Sequence, residues 1–139
     1  MATTRRASTI WTGNLTEGSG NVTFESSGLG THPVSWPARA EEPDGVTSPE
    51  ELIAGAHATC FAMALSNGLT QAGTPPTQLT TSAEVDFQAG TGIVGIRLTA
   101  SGEVPGLDAA GFLAAAEAAK SGCPVSRALS AVPITLTVQ

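Results

Sequence analysis

The sequence predicts an α+β fold in which antiparallel strands pack against a buried helix. A long segment rich in Ala and Leu begins at a helix-start signal at Ser48 and ends before Gly73. Almost every side chain from residue 53 to 65 is small or apolar, which is typical of a buried helix. Residues 79–87 and 94–104 alternate apolar and polar side chains, which predicts two long strands.

Length and composition limit the architecture and the partners. The chain has 139 residues and a net charge of −6, so we expect one domain spanning residues 1–139. Hydrophobic residues make up 41 %, but 22 of them are alanines and only six are aromatic. Such a thin core suggests additional burial against a second copy of the chain. The acidic balance and the lack of a Lys/Arg run argue against nucleic acids and anionic membranes as partners.

The first third of the chain predicts short strands. Residues 9–11 and 22–24 lie on either side of a turn at residues 17–20. A third segment, residues 34–38, again shows a period of two, but the prolines at 33 and 37 make it irregular or an edge strand.

The signals in the rest of the chain are stronger. Ser48-Pro49-Glu50-Glu51 combines an N-cap serine, a proline at the first helical position and acids in the first turn. Further along we expect a hairpin turn at residues 89–92 and a helix at residues 109–120, capped by Asp108. A short helix at residues 124–129 and a strand at residues 134–138 should follow.

The chain contains only two cysteines, Cys60 and Cys123, and no CxxC pair. This argues against a disulfide-stapled secreted scaffold and a zinc ribbon. No apolar run follows the N-terminal arginines and no stretch approaches ~18 consecutive apolar residues. We therefore expect a cytoplasmic protein without a signal peptide or a transmembrane helix.

Cys123 has a local context that favours reactivity. Pro124 suits the first position of a short helix and places Cys123 at its N-cap. Backbone N–H groups at a helix start favour a thiolate, and Arg127 adds a nearby positive charge. A small buried structural cysteine is the alternative.

Cys60 is expected deep in the long helix, where burial raises a thiol pKa. A nucleophilic role would require a cation, and Arg39, at the end of an apolar segment, is the candidate. His57 lies three residues before Cys60, on nearly the same helix face. A metal site of His57, Cys60 and Cys123 lacks a fourth ligand and the usual spacing, so we favour a hydrogen-bonded core or interface histidine. Glu50 has a sufficient explanation as a helix-capping acid.

Two motifs resemble those of a known family. Residues 48–65 (SPEELIAGAHATCFAMAL) resemble the reactive-cysteine helix of the OsmC/Ohr family of thiol-dependent hydroperoxide reductases. Residues 123–129 (CPVSRAL) resemble its second cysteine motif, and residues 7–13 and 104–108 also fit. The AHA run before Cys60 and the position of Arg39 are similar to the OsmC branch. Gly55 and Thr59 depart from the common residues, and Thr59 adds bulk beside Cys60.

The resemblance implies an OsmC-like intertwined homodimer and a peroxidase without metal or other cofactor. Cys60 would be the peroxidatic cysteine, which reduces organic hydroperoxides and hydrogen peroxide and becomes a sulfenic acid. Cys123 would resolve it as an intramolecular disulfide, which a lipoyl-type or other dithiol reduces. Arg39 would stabilise the thiolate and the departing oxyanion, and Glu50 would orient Arg39. The implied role is defence against oxidative stress.

The helix geometry adds a constraint on Glu50. Ten residues of helix rise about 15 Å and place Glu50 and Cys60 on different sides. We therefore expect Glu50 to serve the site of a partner subunit. A non-catalytic stress-response or small-molecule-binding member of the same fold is the second reading, ahead of a metal-binding protein and a purely structural disulfide.

Overall fold

The computed structural model describes all 139 residues and comprises two compact units, residues 1–49 and 50–139. The single domain over residues 1–139 stays a prediction.

The first unit is a three-stranded antiparallel sheet followed by a short helix. Its elements are β1 (Ala7–Thr12), β2 (Ser19–Phe24), β3 (Gly30–Val34) and α1 (Trp36–Ala40), with the sheet order β1-β2-β3. Gly20 allows β1 and β2 to approach closely, because a Cβ there would lie 2.8 Å from the Ile10 carbonyl oxygen.

The prediction of a strand over residues 34–38 was wrong beyond Val34. The Ser35 hydroxyl accepts a hydrogen bond from the Ala38 N–H at 3.2 Å, and Pro37 occupies the first turn of α1. Serine at the N-cap with proline just inside the helix is a helix start. The period-two pattern of Val34, Trp36 and Ala38 was too short to reveal it.

The second unit contains a three-stranded sheet and three helices. They are α2 (Pro49–Gln71), β4 (Gln78–Gln88), β5 (Gly92–Glu103), α3 (Ala109–Gly122), α4 (Pro124–Ala128) and β6 (Ile134–Val138). The predicted hairpin joins β4 and β5, with Gly90 at a positive φ of 84°. Asp108 caps α3, because its Oδ1 accepts from the Gly111 N–H at 2.8 Å.

β6 departs from the antiparallel prediction. It pairs with β5 in parallel, in the register Ile96↔Ile134 to Ala100↔Val138. The chain returns from β5 to β6 through α3 and α4, and a helical crossover is what brings two strands together in parallel. The α+β class is confirmed, with one antiparallel and one mixed sheet.

The core of the second unit lies between α2, α3 and the face of the sheet. Three elements supply the buried side chains of this core: Phe61, Leu65 and Leu69 from α2; Ile96, Leu98 and Ala100 from β5; Phe112, Ala116 and Ala119 from α3. Alanines on α3 allow that helix to pack closely, which explains how so few bulky residues fill this space.

α2 is the central helix, but a single chain buries only one of its faces. The stripe from His57 through Phe61 and Leu65 to Leu69 is buried, while Met63 is 68 % exposed. By length and composition alone α2 could also cross a membrane. Core helices of soluble proteins meet the same criterion, and the buried stripe of α2 packs against β5 and α3 as a core helix does.

Candidate functional site

The fold brings the two cysteines together. Cys60 is half-buried in α2, and Cys123 is fully buried in the one-residue junction between α3 and α4. Both thiols are free, and they interact directly through their side chains. Two residues 63 positions apart therefore form one dithiol site.

Cys123 is the N-cap of α4, as the sequence predicted. Its sulfur makes no close capping hydrogen bond, but the N–H groups of Val125 and Ser126 point towards it. Burial opposes ionisation of Cys123. The Cys60 thiol and the Ser126 N–H and hydroxyl outweigh this effect and lower the pKa of Cys123 below its usual value.

The pKa of Cys60 changes in the opposite direction. Burial raises it, and the interaction with Cys123 raises it further, while the Val125 N–H offsets part of the increase. These directions confirm what the local sequence context indicated for each cysteine. Because its pKa is raised, Cys60 requires an additional positive charge to become the nucleophile.

His57, also on α2, is fully buried. Its Nε2 lies 2.7 Å from the Ser126 hydroxyl oxygen, which confirms the hydrogen-bonded core histidine. Burial lowers the pKa of His57 below its usual value of 6.5, so the ring is neutral at pH 7. Its Nδ1 has no hydrogen-bond partner. No group of three His, Cys, Asp or Glu side chains in the structure is arranged to hold a metal ion.

Ser126 belongs to this site, and the sequence reasoning missed it. It is the third residue of α4 and only 6 % exposed. A side chain three positions after an N-cap residue commonly reaches back towards that residue. The spacing Cys123-Pro124-Val125-Ser126 therefore contained a signal for it.

The structure does not bring Arg39 and Glu50 to the dithiol within the second unit. Arg39 lies in the last turn of α1, in the first unit, and is half-buried. Glu50 is the second residue of α2 and is buried, whereas Glu51 beside it is exposed. Both Arg39 and Glu50 have interaction partners of their own. Helix capping is a sufficient explanation for an exposed carboxylate at this position, but not for a buried one such as Glu50.

Comparisons with known proteins agree with the fold and identify the family. The model of the OsmC-like protein family matches residues 42–138. The chain is 42 % identical over 142 residues to Peroxiredoxin OsmC of Escherichia coli strain K12, covering 100 % of this chain and 98 % of the relative. The same values hold for Peroxiredoxin OsmC of Shigella flexneri.

Solved structures show the same fold. An organic hydroperoxide resistance protein OsmC from Legionella pneumophila superposes with a TM-score of 0.74 at 23 % identity, covering 99 % of each chain. An OsmC-like protein from Mycoplasma pneumoniae also gives a TM-score of 0.74, at 14 % identity, covering 100 % of this chain and 98 % of its own.

The prediction of a thiol peroxidase is confirmed by the curated relatives. Because the family model matches residues 42–138 and a curated relative is 42 % identical over the full chain, the chain belongs to the OsmC-like family.

Proposed function

We propose that this chain is a two-cysteine peroxidase that reduces organic hydroperoxides, and also hydrogen peroxide, by means of Cys60 and Cys123. The observation that carries the proposal is the direct interaction of the two free thiols, one inside α2 and the other at the start of α4. A peroxidase that forms an intramolecular disulfide requires two thiols within bonding reach, and a binding module does not.

In the first step the Cys60 thiolate attacks the distal oxygen of the peroxide. The O–O bond breaks, the oxygen transferred to sulfur gives a sulfenic acid, and the departing alkoxide takes a proton and leaves as an alcohol. Because burial and Cys123 raise the pKa of Cys60, the thiolate requires a cation. Arg39 supplies it in this proposal and also stabilises the developing negative charge on the leaving oxygen, while Glu50 orients Arg39.

In the second step Cys123 attacks the Cys60 sulfenic acid. The S–O bond breaks, an S–S bond forms, and hydroxide leaves as water with the proton released by Cys123. A dithiol reductant of the lipoyl type then opens the disulfide and is itself oxidised to a disulfide. The lowered pKa of Cys123 makes it the better leaving thiolate in that exchange. Two reduced thiols suit a cytoplasmic protein that acts against oxidative stress.

The functional unit in this proposal is a homodimer. Glu50 and Cys60 lie on one continuous helix, about 15 Å apart along its axis, so Glu50 serves the site of the partner subunit. The outer face of α2, including Met63, is exposed in a single chain, and apolar surface of this kind is typical of an interface. We expect sedimentation to show a dimer at the concentrations used for activity. A fully active monomer would contradict this arrangement.

The test of the function is a thiol titration on the fully reduced protein. One equivalent of an organic hydroperoxide should be consumed rapidly, and two titratable thiols per chain should be lost with it. A dithiol should restore both thiols and permit further turnover. A non-catalytic member of the fold would bind a small molecule and leave the peroxide concentration unchanged.

A further inference from the structure

The side chains of His57, Ser126 and Cys123 are buried and interact in that order. His57 and Cys123 are fully buried and Ser126 is 6 % exposed. The Ser126 hydroxyl is 2.7 Å from Nε2 of His57 and also interacts with the Cys123 sulfur. The peroxidase chemistry described above uses neither His57 nor Ser126, although burying two polar side chains costs free energy unless each is hydrogen-bonded.

The direction of these hydrogen bonds follows from the protonation state of His57. Its ring is neutral, because burial lowers its pKa and an imidazolium would bury an N–H at Nδ1, which has no partner. A buried donor without an acceptor is rarer than a buried acceptor without a donor. The hydrogen therefore lies on Nε2, which donates to the Ser126 oxygen. The serine hydroxyl then has its own hydrogen available for the Cys123 sulfur.

We propose that His57 and Ser126 are positioning residues for the second thiol, with the imidazole N–H holding the serine hydroxyl so that it donates to the Cys123 sulfur. The hydroxyl stabilises the Cys123 thiolate and orients it towards Cys60. This inference rests on the proposed function, and it deepens it by assigning the step in which Cys123 attacks the sulfenic acid. No electron or proton is transferred to His57 or Ser126, so the balance of that step is unchanged.

Other groups on the packed elements also bear on the charge at Cys123. The Cys60 thiol on α2 interacts with it directly. On α3 the nearest cation in sequence is Lys120, which pairs with Glu117 at 3.4 Å, and on α4 it is the exposed Arg127. Within each measurement the experiment therefore compares variants that share one background, so that these groups are the same in every variant compared.

The first measurement is the thiolate absorbance of Cys123 as a function of pH, in a Cys60→Ser background that leaves a single thiol. Ser126→Ala and His57→Phe should each raise the Cys123 pKa, by roughly one unit for the loss of one hydrogen bond to the thiolate. His57→Gln keeps an N–H donor and should restore most of the Cys123 pKa found in the Cys60→Ser parent. Ser130→Ala, an exposed serine just beyond α4, is the matched control.

The second measurement is the rate of disulfide formation after one equivalent of peroxide, with both cysteines present. Ser126→Ala should slow this step about threefold, because a one-unit rise in pKa lowers the thiolate fraction about tenfold but raises the nucleophilicity of the thiolate about threefold. The rate of sulfenic acid formation should stay within about twofold of wild type. The inference is overturned if Ser126→Ala titrates and closes its disulfide as Ser130→Ala does. A wild-type protein that consumes no peroxide would contradict the proposed function instead, and the titration would still decide the role of Ser126. Because Ser126→Ala removes only one oxygen, it also keeps the test decisive if His57→Phe unfolds.

Discussion

Cys60→Ser is expected to abolish peroxide consumption, with a residual rate no higher than that of the peroxide alone. A serine hydroxyl stays protonated at neutral pH and lacks the nucleophilicity of a thiolate. Cys123→Ser should behave differently, because Cys60 keeps its own sulfur. It should consume one equivalent of peroxide and stop at a sulfenic acid on Cys60. Peroxide consumption and mass spectrometry of the trapped sulfenic acid check both variants.

The two variants test the assignment of roles as well as the activity. The pKa of Cys123 is lowered by its contacts with Cys60 and Ser126, whereas burial raises the pKa of Cys60, so an exchange of the two results would identify Cys123 as the peroxidatic residue. Arg39→Ala tests whether the positive charge of Arg39 makes Cys60 the nucleophile. This variant should slow the first step with little effect on disulfide closure. Unchanged peroxide consumption by Cys60→Ser would falsify the proposed mechanism.

Leu65→Ala is expected to produce a large loss of stability. Leu65 is fully buried between α2, β5 and α3, and truncating a buried leucine to alanine typically costs about 2–5 kcal/mol. Domains of this size have a total free energy of unfolding of about 5–15 kcal/mol. The variant should therefore lose a large fraction of its stability in urea denaturation at a fixed protein concentration.

Asn67→Ala is the matched control on the same helix. Asn67 lies two residues further along α2 and is exposed, and surface substitutions usually change stability by no more than about 0.5 kcal/mol. Equal losses in the two variants would contradict the assignment of the buried face. The contrast tests the packing of α2 independently of any activity.

Much of the second unit could be predicted from local signals. Pro49 and Gly73 bound α2 because proline starts a helix well and glycine adopts the positive φ, here 87°, that ends one. The long alternating strands and the Asp108 cap were equally clear. α1 was missed because it has only five residues, too few for a helical period to be visible in the sequence.

The site was predicted in part. Local context gave the direction of the pKa change at each cysteine, because a helix start and a helix interior are local environments. The parallel pairing of β6 and the hydrogen bond between Ser126 and His57 could not be found in this way, since both depend on elements distant in sequence.

The sequence by itself determined that the chain has two sparse cysteines, one inside a long apolar helix and one at a helix start, in motifs that resemble one family. Only the tertiary structure decided that Cys60 and Cys123 interact and that His57 is hydrogen-bonded to Ser126 next to Cys123. The physical reason is that a helix start depends on a few adjacent residues. Contact between α2 and α4 depends instead on how α2, α3 and the mixed sheet pack around one core.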